Sequence, residues 1–288
     1  MLAAATLWSL GGLGIKACDA SPLAVAGWRS AFALPVLAIA VGRGFAAEGP
    51  RLMRRWPLLG AAVAYMLTVT TFVVATKATT AANAIVLQYT GPAWVAALSW
   101  PILRERVGAR DAVALALAVL GMIVLVSGEL RADAAWGIGV ALFSGVSFGA
   151  IPLFLRLEER LSHGATHLAR APAFAFLVGS VLTVLVCAPA MATGSPTTPK
   201  GWAVLVGLGV VQIGLAYTLY GAGVRRLRAV EASLVTMVEP LLNPLWVALG
   251  TGEVPGVAAL IGGAAILSGV GVQATGRARS TPKAPPIV

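Results

Sequence analysis

The chain has 288 residues, of which 58% are hydrophobic and only 11% charged, under half the share of about 25% usual in soluble domains. With 21 basic and 11 acidic side chains it cannot clothe a soluble domain of this size, so soluble globular, disordered and coiled-coil folds are excluded. The formal net charge of +10 would indicate nucleic acid only if the basic residues formed one stripe, and they do not.

The charges fall in short clusters, and the apolar runs between them define the elements. The first run, 1–15, is short; without a basic leader or a clear small-residue cleavage site it reads as a retained helix, not a signal peptide. The second, 22–41, is interrupted by Arg29. Runs 56–76, 78–103, 112–128, 134–155, 171–199 and 201–224 follow without a charge. Run 229–249 contains Glu231 and Glu239, and 254–276 closes the series. Most supply the roughly 20 residues a spanning helix needs. Alternating strand patterns do not recur, which argues against a transmembrane barrel. The predicted class is an all-α polytopic membrane protein with ten transmembrane helices.

Fifteen basic residues fall in the segments that share a side with the N-terminus, among them Arg54, Arg55, Arg104, Arg106, Arg156, Arg225 and Arg228. The opposite segments hold only Lys16, Lys77, Arg131 and Lys200. The positive-inside rule therefore predicts cytoplasmic N- and C-termini. Cys18 and Cys187 both fall towards the outer side, where a disulfide is conceivable; two apolar-tolerant thiols are the simpler reading.

The chain also matches itself. A shift of 148 residues aligns Lys77 with Arg225, Ala84 with Ala232, Pro92 with Pro240, Glu105 with Glu253 and Gly121 with Gly269. Each half then holds five helices, an odd number, so the second enters the membrane upside down. This is the inverted-topology repeat of secondary transporters, whose site lies near the midplane between repeats. The predicted units are 1–130, 131–276 and a cytoplasmic tail, 277–288.

The layout resembles the drug/metabolite transporter superfamily, specifically its EamA-type members with two five-helix repeats. Leu103-Arg-Glu-Arg106 and Gly250-Thr-Gly-Glu253 are similar to the family's Leu-Gly-Glu-Arg ending helices four and nine, although the first lacks the glycine before Glu105. Tyr89-Thr-Gly-Pro92 and Val238-Glu-Pro240 resemble its mid-helix motifs. The resemblance implies export of small metabolites, often amino acids, across the bacterial inner membrane, and extends towards the branch of aromatic amino acid exporters. It also implies a central cavity between helices one, three, four, six, eight and nine.

Charge and proline inside the runs mark the candidate site. Pro92 and Pro240 occupy equivalent mid-helix positions, and each frees the carbonyl four residues earlier, those of Gln88 and Thr236. Such helix breaks are tolerated at membrane depth where protein or a water-filled cavity covers them; a plain structural kink is the alternative. Asn243, beside Pro244, extends the polar patch. Glu239 lies near the bilayer centre, where a carboxyl is expensive and faces a cavity or a partner. It is a candidate for a substrate amine, an ion pair or proton coupling, with a structural carboxyl as the alternative. Arg29 either snorkels or pairs with a carbonyl or carboxylate of the protein; the functional alternative is that it meets a substrate carboxylate. Trp8, Tyr65, Tyr89, Trp94, Phe148, Tyr217 and Trp246 are candidate pocket-lining rings.

Other motifs fail in context. Gly12-Leu-Gly14 begins a dinucleotide pattern but lies in an apolar run with no strand before it. Gly145-Val-Ser-Phe-Gly149 fits the small-residue packing motif of membrane helices. His163 and His167 stand alone, and no nucleophile–base set or metal-ligand cluster is present, so neither an enzyme nor a cofactor is expected. The expected partners are a small-molecule substrate, the lipid bilayer and, for coupling, protons. Oligomeric state is left open.

Overall fold

The computed structural model describes residues 1–42, 45–79, 81–126, 135–162, 170–242 and 257–280, without the side chains at 45–48, 82, 125–126, 259 and 273–280. The described residues are almost entirely helical and contain no strand. Among the described residues, five helices are long and apolar enough to cross a bilayer as single rods: two (Pro22–Val41), three (Trp56–Ala78), six (Ala135–Leu161), seven (Ala171–Thr193) and eight (Pro199–Val224). Helix five is Ala109–Val126 and helix ten Val257–Ser280. A short helix, Phe45–Leu52, links helices two and three. Asn243, Pro244, Trp246, the Gly250–Glu253 motif and the boundary between the predicted units lie outside the described residues.

Local signals explain the ends. Ser21 caps helix two, its hydroxyl accepting from the Ala24 N–H at 3.3 Å, with Pro22 at the first helical position. Thr198 and Pro199 do the same for helix eight. Helix seven stops at Thr193, short of the predicted 199, because Gly194 and Pro196 follow. Helix ten runs on to Ser280, past the start of the predicted tail.

Among the described residues, three helices are broken. Helix one divides into Leu2–Trp8 and Gly11–Ala17, and helix four into Ala81–Gln88 and Gly91–Leu103. Helix nine runs Ala229–Thr236 and resumes at Glu239. The breaks in four and nine, at Tyr89–Thr90 and Met237–Val238, are 148 residues apart. Both close in the same way, with Thr90 N–H donating to Leu87 C=O at 3.2 Å and Val238 N–H to Val235 C=O at 3.5 Å. Pro92 and Pro240 sit in the first turn after the break, where a missing N–H costs nothing.

The halves are related by a pseudo-two-fold. Helices two and seven, four and nine, and five and ten pack as pairs; three packs on six as eight does on one. The glycines record the symmetry. A Cβ at Gly121 would lie 2.6 Å from the Gly262 carbonyl oxygen, and one at Gly269 2.6 Å from that of Ala114. Lipid tails are as apolar as leucine, so close packing of small residues supplies the association energy.

Candidate functional site

The irregular backbone converges on one place. Around it lie the breaks in helices one, four and nine and a π-helical stretch, Leu208–Leu215, in helix eight. Wide turns of this kind recur at functional sites. Glycines seat those in helices one, four and eight. A Cβ at Gly11 would sit 2.7 Å from Gln212 Nε2, and one at Gly14 2.8 Å from Leu208 Cδ2, so these glycines let helix one lie against the π-helical stretch. Gly145 and Gly149 of helix six seat the break of helix four. A Cβ at Gly145 would overlap Thr90 Oγ1, and one at Gly149 would lie 2.7 Å from Gly91 O.

Between these elements is a cavity of about 20 Å³, lined from helices one (Trp8), two (Arg29), three (Thr68, Val69, Phe72), four (Gln88), six (Phe148), eight (Gln212, Ile213, Tyr217) and nine (Glu239). That is room for about one water.

Its polar groups differ in how they are satisfied. Gln88 Nε2 donates to Ser144 Oγ at 3.0 Å. The Tyr89 hydroxyl lies 2.7 Å from Glu239 Oε2 and 2.8 Å from the Thr236 carbonyl oxygen, the carbonyl predicted to be freed by Pro240. Tyr89 thus ties the break of helix four to that of helix nine. Arg29 is 1% exposed, and its Nη2 reaches only the Val69 carbonyl at 3.4 Å. Its Nε and Nη1 have no hydrogen-bond partner, nor do Trp8 Nε1 and Gln212 Oε1. No ion pair to Arg29 or Glu239 occurs among the described residues.

Of the sequence-predicted residues, Trp8, Arg29, Gln88, Phe148, Tyr217 and Glu239 line the cavity. Tyr89 and the Thr236 carbonyl stand directly behind Glu239. Tyr65 supports from a second layer, 4.6 Å from Tyr217 ring to ring, and its hydroxyl accepts from Ser180 at 3.1 Å. Trp94 corrects the expectation. It is 43% exposed and turned out of the bundle, because Gly91, Val95 and Ser99 form the buried face of its helix. Sequence reasoning missed Gln212, Thr68 and Phe72; the amide of Gln212 inside an uncharged run was the available signal.

Both ends of the bundle are clasped. At the arginine-rich end, Arg55 pairs with Glu158, Arg156 with Glu105 at 2.8 Å and Arg228 with Asp111 at 2.8 Å, each joining one half to the other. At the other end the Trp28 indole N–H donates to Ser195 at 2.7 Å, and the Asp19 carboxylate accepts from the Thr197 hydroxyl at 2.8 Å. That bond holds the Asp19 carboxyl below the ordinary carboxylate range. Cys18 and Cys187 are buried and free, so no disulfide joins them.

Comparison with known proteins agrees with this architecture. The profile of the EamA-like transporter family matches residues 1–127 and again 135–274, once for each half. An uncharacterized transporter of Archaeoglobus fulgidus is 31% identical over 213 residues, 74% of each chain. A protein of known crystal structure superposes with a TM-score of 0.73 at 19% identity, covering 97% of this chain and 96% of the other, which shows a shared fold. Two copies of one family profile cover almost the whole of a two-fold helical bundle built around a central polar cavity, and the chain therefore belongs to the EamA-like transporter family.

Proposed function

We propose that the protein is a secondary transporter that exports small metabolites, amino acids foremost, across the bacterial inner membrane by alternating access. The observation that carries this reading is the cavity at the helix breaks, to which both halves contribute and which is lined by a guanidinium and a carboxyl. An amino acid offers the complement of both. The clasps at the two ends are the gates, and the arginine-rich end faces the cytoplasm together with both termini. The substrate-binding set is Trp8, Arg29, Gln88, Phe148, Gln212, Tyr217 and Glu239, with Tyr89 holding Glu239 in place.

Purified protein reconstituted in liposomes and loaded with labelled amino acids is expected to show counterflow. Failure to move any amino acid or related amine removes the substrate reading. Glu239 is the candidate coupling group. An imposed pH gradient is expected to drive accumulation by the native protein and not by Glu239→Gln. If the native protein never accumulates solute under the gradient, it is an uncoupled facilitator. The carboxyl of Glu239 in the cavity wall also suits efflux of organic cations by the same fold, and this is the second reading.

A further inference from the structure

We propose that Arg29, with Trp8 and Gln212, forms a carboxylate subsite, so that a carboxylate is an obligatory feature of the transported solute. This rests on the transporter reading and chooses between its amino acid and organic cation forms.

The first support is an unbalanced charge. Arg29 is wholly enclosed, so its head does not snorkel to water. A buried guanidinium is tolerated when it is paired and hydrogen-bonded. Here Nε and Nη1 leave three N–H donors without an acceptor, and the remaining nitrogen makes one long bond to a backbone carbonyl.

The second support is that the deficit is shared. The cavity wall holds the unpartnered Trp8 Nε1 and Gln212 Oε1 beside Arg29. Two of these three groups are donors, suited to an anion. The third is an acceptor, suited to an N–H or O–H of the same molecule. The one carboxyl of the cavity is engaged elsewhere. Glu239 Oε2 is held by Tyr89, and no carboxylate lies within 4.0 Å of Arg29 among the described residues.

The third support is geometric. Arg29 stands on helix two, which packs against helices seven, three and the π-helical stretch of eight. A Cβ at Gly209 would lie 2.6 Å from the Arg29 carbonyl oxygen, so the π-helical stretch is pressed against the backbone that carries the guanidinium. Arginine is the natural receptor for a carboxylate, because its charged donors are strongest where water is excluded.

Three probes sharing one apolar body separate the possibilities: L-leucine, 4-methylpentanoate (no amine) and L-leucine methyl ester (no carboxylate). Thermal unfolding of the purified protein reads binding, since a ligand of the native state raises Tm with concentration. Leucine and 4-methylpentanoate are expected to raise Tm, and the ester to leave it unchanged. Arg29→Gln is expected to fold with a ligand-free Tm no lower than the native one, because it removes an unpaired charge. Its apparent affinity for both carboxylates falls by at least about tenfold. Arg29→Lys retains part of the response, and Trp8→Phe, which deletes one N–H, weakens it.

Equal stabilisation by the ester, an undiminished carboxylate response in Arg29→Gln, or no response to any carboxylate overturns the proposal. So does a lower ligand-free Tm in Arg29→Gln that Arg29→Lys restores without any carboxylate effect, which marks a purely structural arginine. The two readings fail separately. A carboxylate that binds through Arg29 but is never exchanged leaves the subsite standing without the transporter. Counterflow inhibited equally by leucine and its ester leaves the transporter standing without the subsite.

Discussion

Tyr89 has one hydroxyl proton and two oxygens within 2.8 Å, those of Glu239 and Thr236. All contacts are satisfied when the Glu239 carboxyl donates to Tyr89 and Tyr89 donates to the Thr236 carbonyl. An amide at 239 preserves that chain of donors, whereas Phe at 89 ends it. Tyr89→Phe is therefore expected to lower unfolding stability by about 1 kcal/mol, while Glu239→Gln stays near the native value; thermal denaturation in detergent compares them. Hydrogen bonds between membrane helices average about 0.6 kcal/mol, so this tie is weak enough for the proposed alternating access to remake it. Glu239 and Arg29 stood out in the sequence because a charge in an apolar run is expensive and needs a partner or a cavity. Gln212 was not, since an uncharged amide does not interrupt such a run. Trp94 misled because a mid-span position gives depth and not the face of the helix.

The paired breaks in helices four and nine were legible from Pro92 and Pro240, and the 148-residue spacing carries through to their hydrogen bonds. The break in helix one was hidden. No proline marks Ser9–Leu10, and its cause is tertiary, the approach of Gln212 and Leu208 to Gly11 and Gly14. The end of helix four explains the family's missing glycine. Arg104 adopts φ 54°, the left-handed conformation glycine takes without strain, and its guanidinium lies 5.3 Å from the Trp100 ring. Arg104→Gly relieves the backbone and Arg104→Ala does not, so the Gly variant is expected to be the more stable by about 1 kcal/mol. Equal stability of the two would remove the strain account. Gly149→Leu is expected to separate helices six and four at a cost of about 1–3 kcal/mol, read as lost thermal stability and lost counterflow.

At the scale of the molecule, composition fixed the class and the odd helix count fixed the inversion. The contacts between the halves were beyond reach, because they join residues far apart in the chain. Three ion pairs join the halves at the arginine-rich end; Glu158 and Asp111 are buried, whereas Arg156–Glu105 is the pair with both partners partly exposed and is worth about 1 kcal/mol or less. In the proposed mechanism this end is a gate. Glu105→Arg places like charges opposite Arg156 and is expected to open that end, while Glu105→Arg combined with Arg156→Glu closes it again. The central claim is that one cavity faces the two sides in turn. It is tested most directly by a single cysteine at Thr68, in a background with Cys18 and Cys187 replaced by Ser, labelled by membrane-impermeant thiol reagents from each side of sealed vesicles. The account predicts labelling from either side, with the Glu105→Arg variant gaining reactivity from the arginine-rich side and losing it from the other. Reactivity that rises on both sides together, as in an open channel, or a residue 68 unreachable from both, would contradict it.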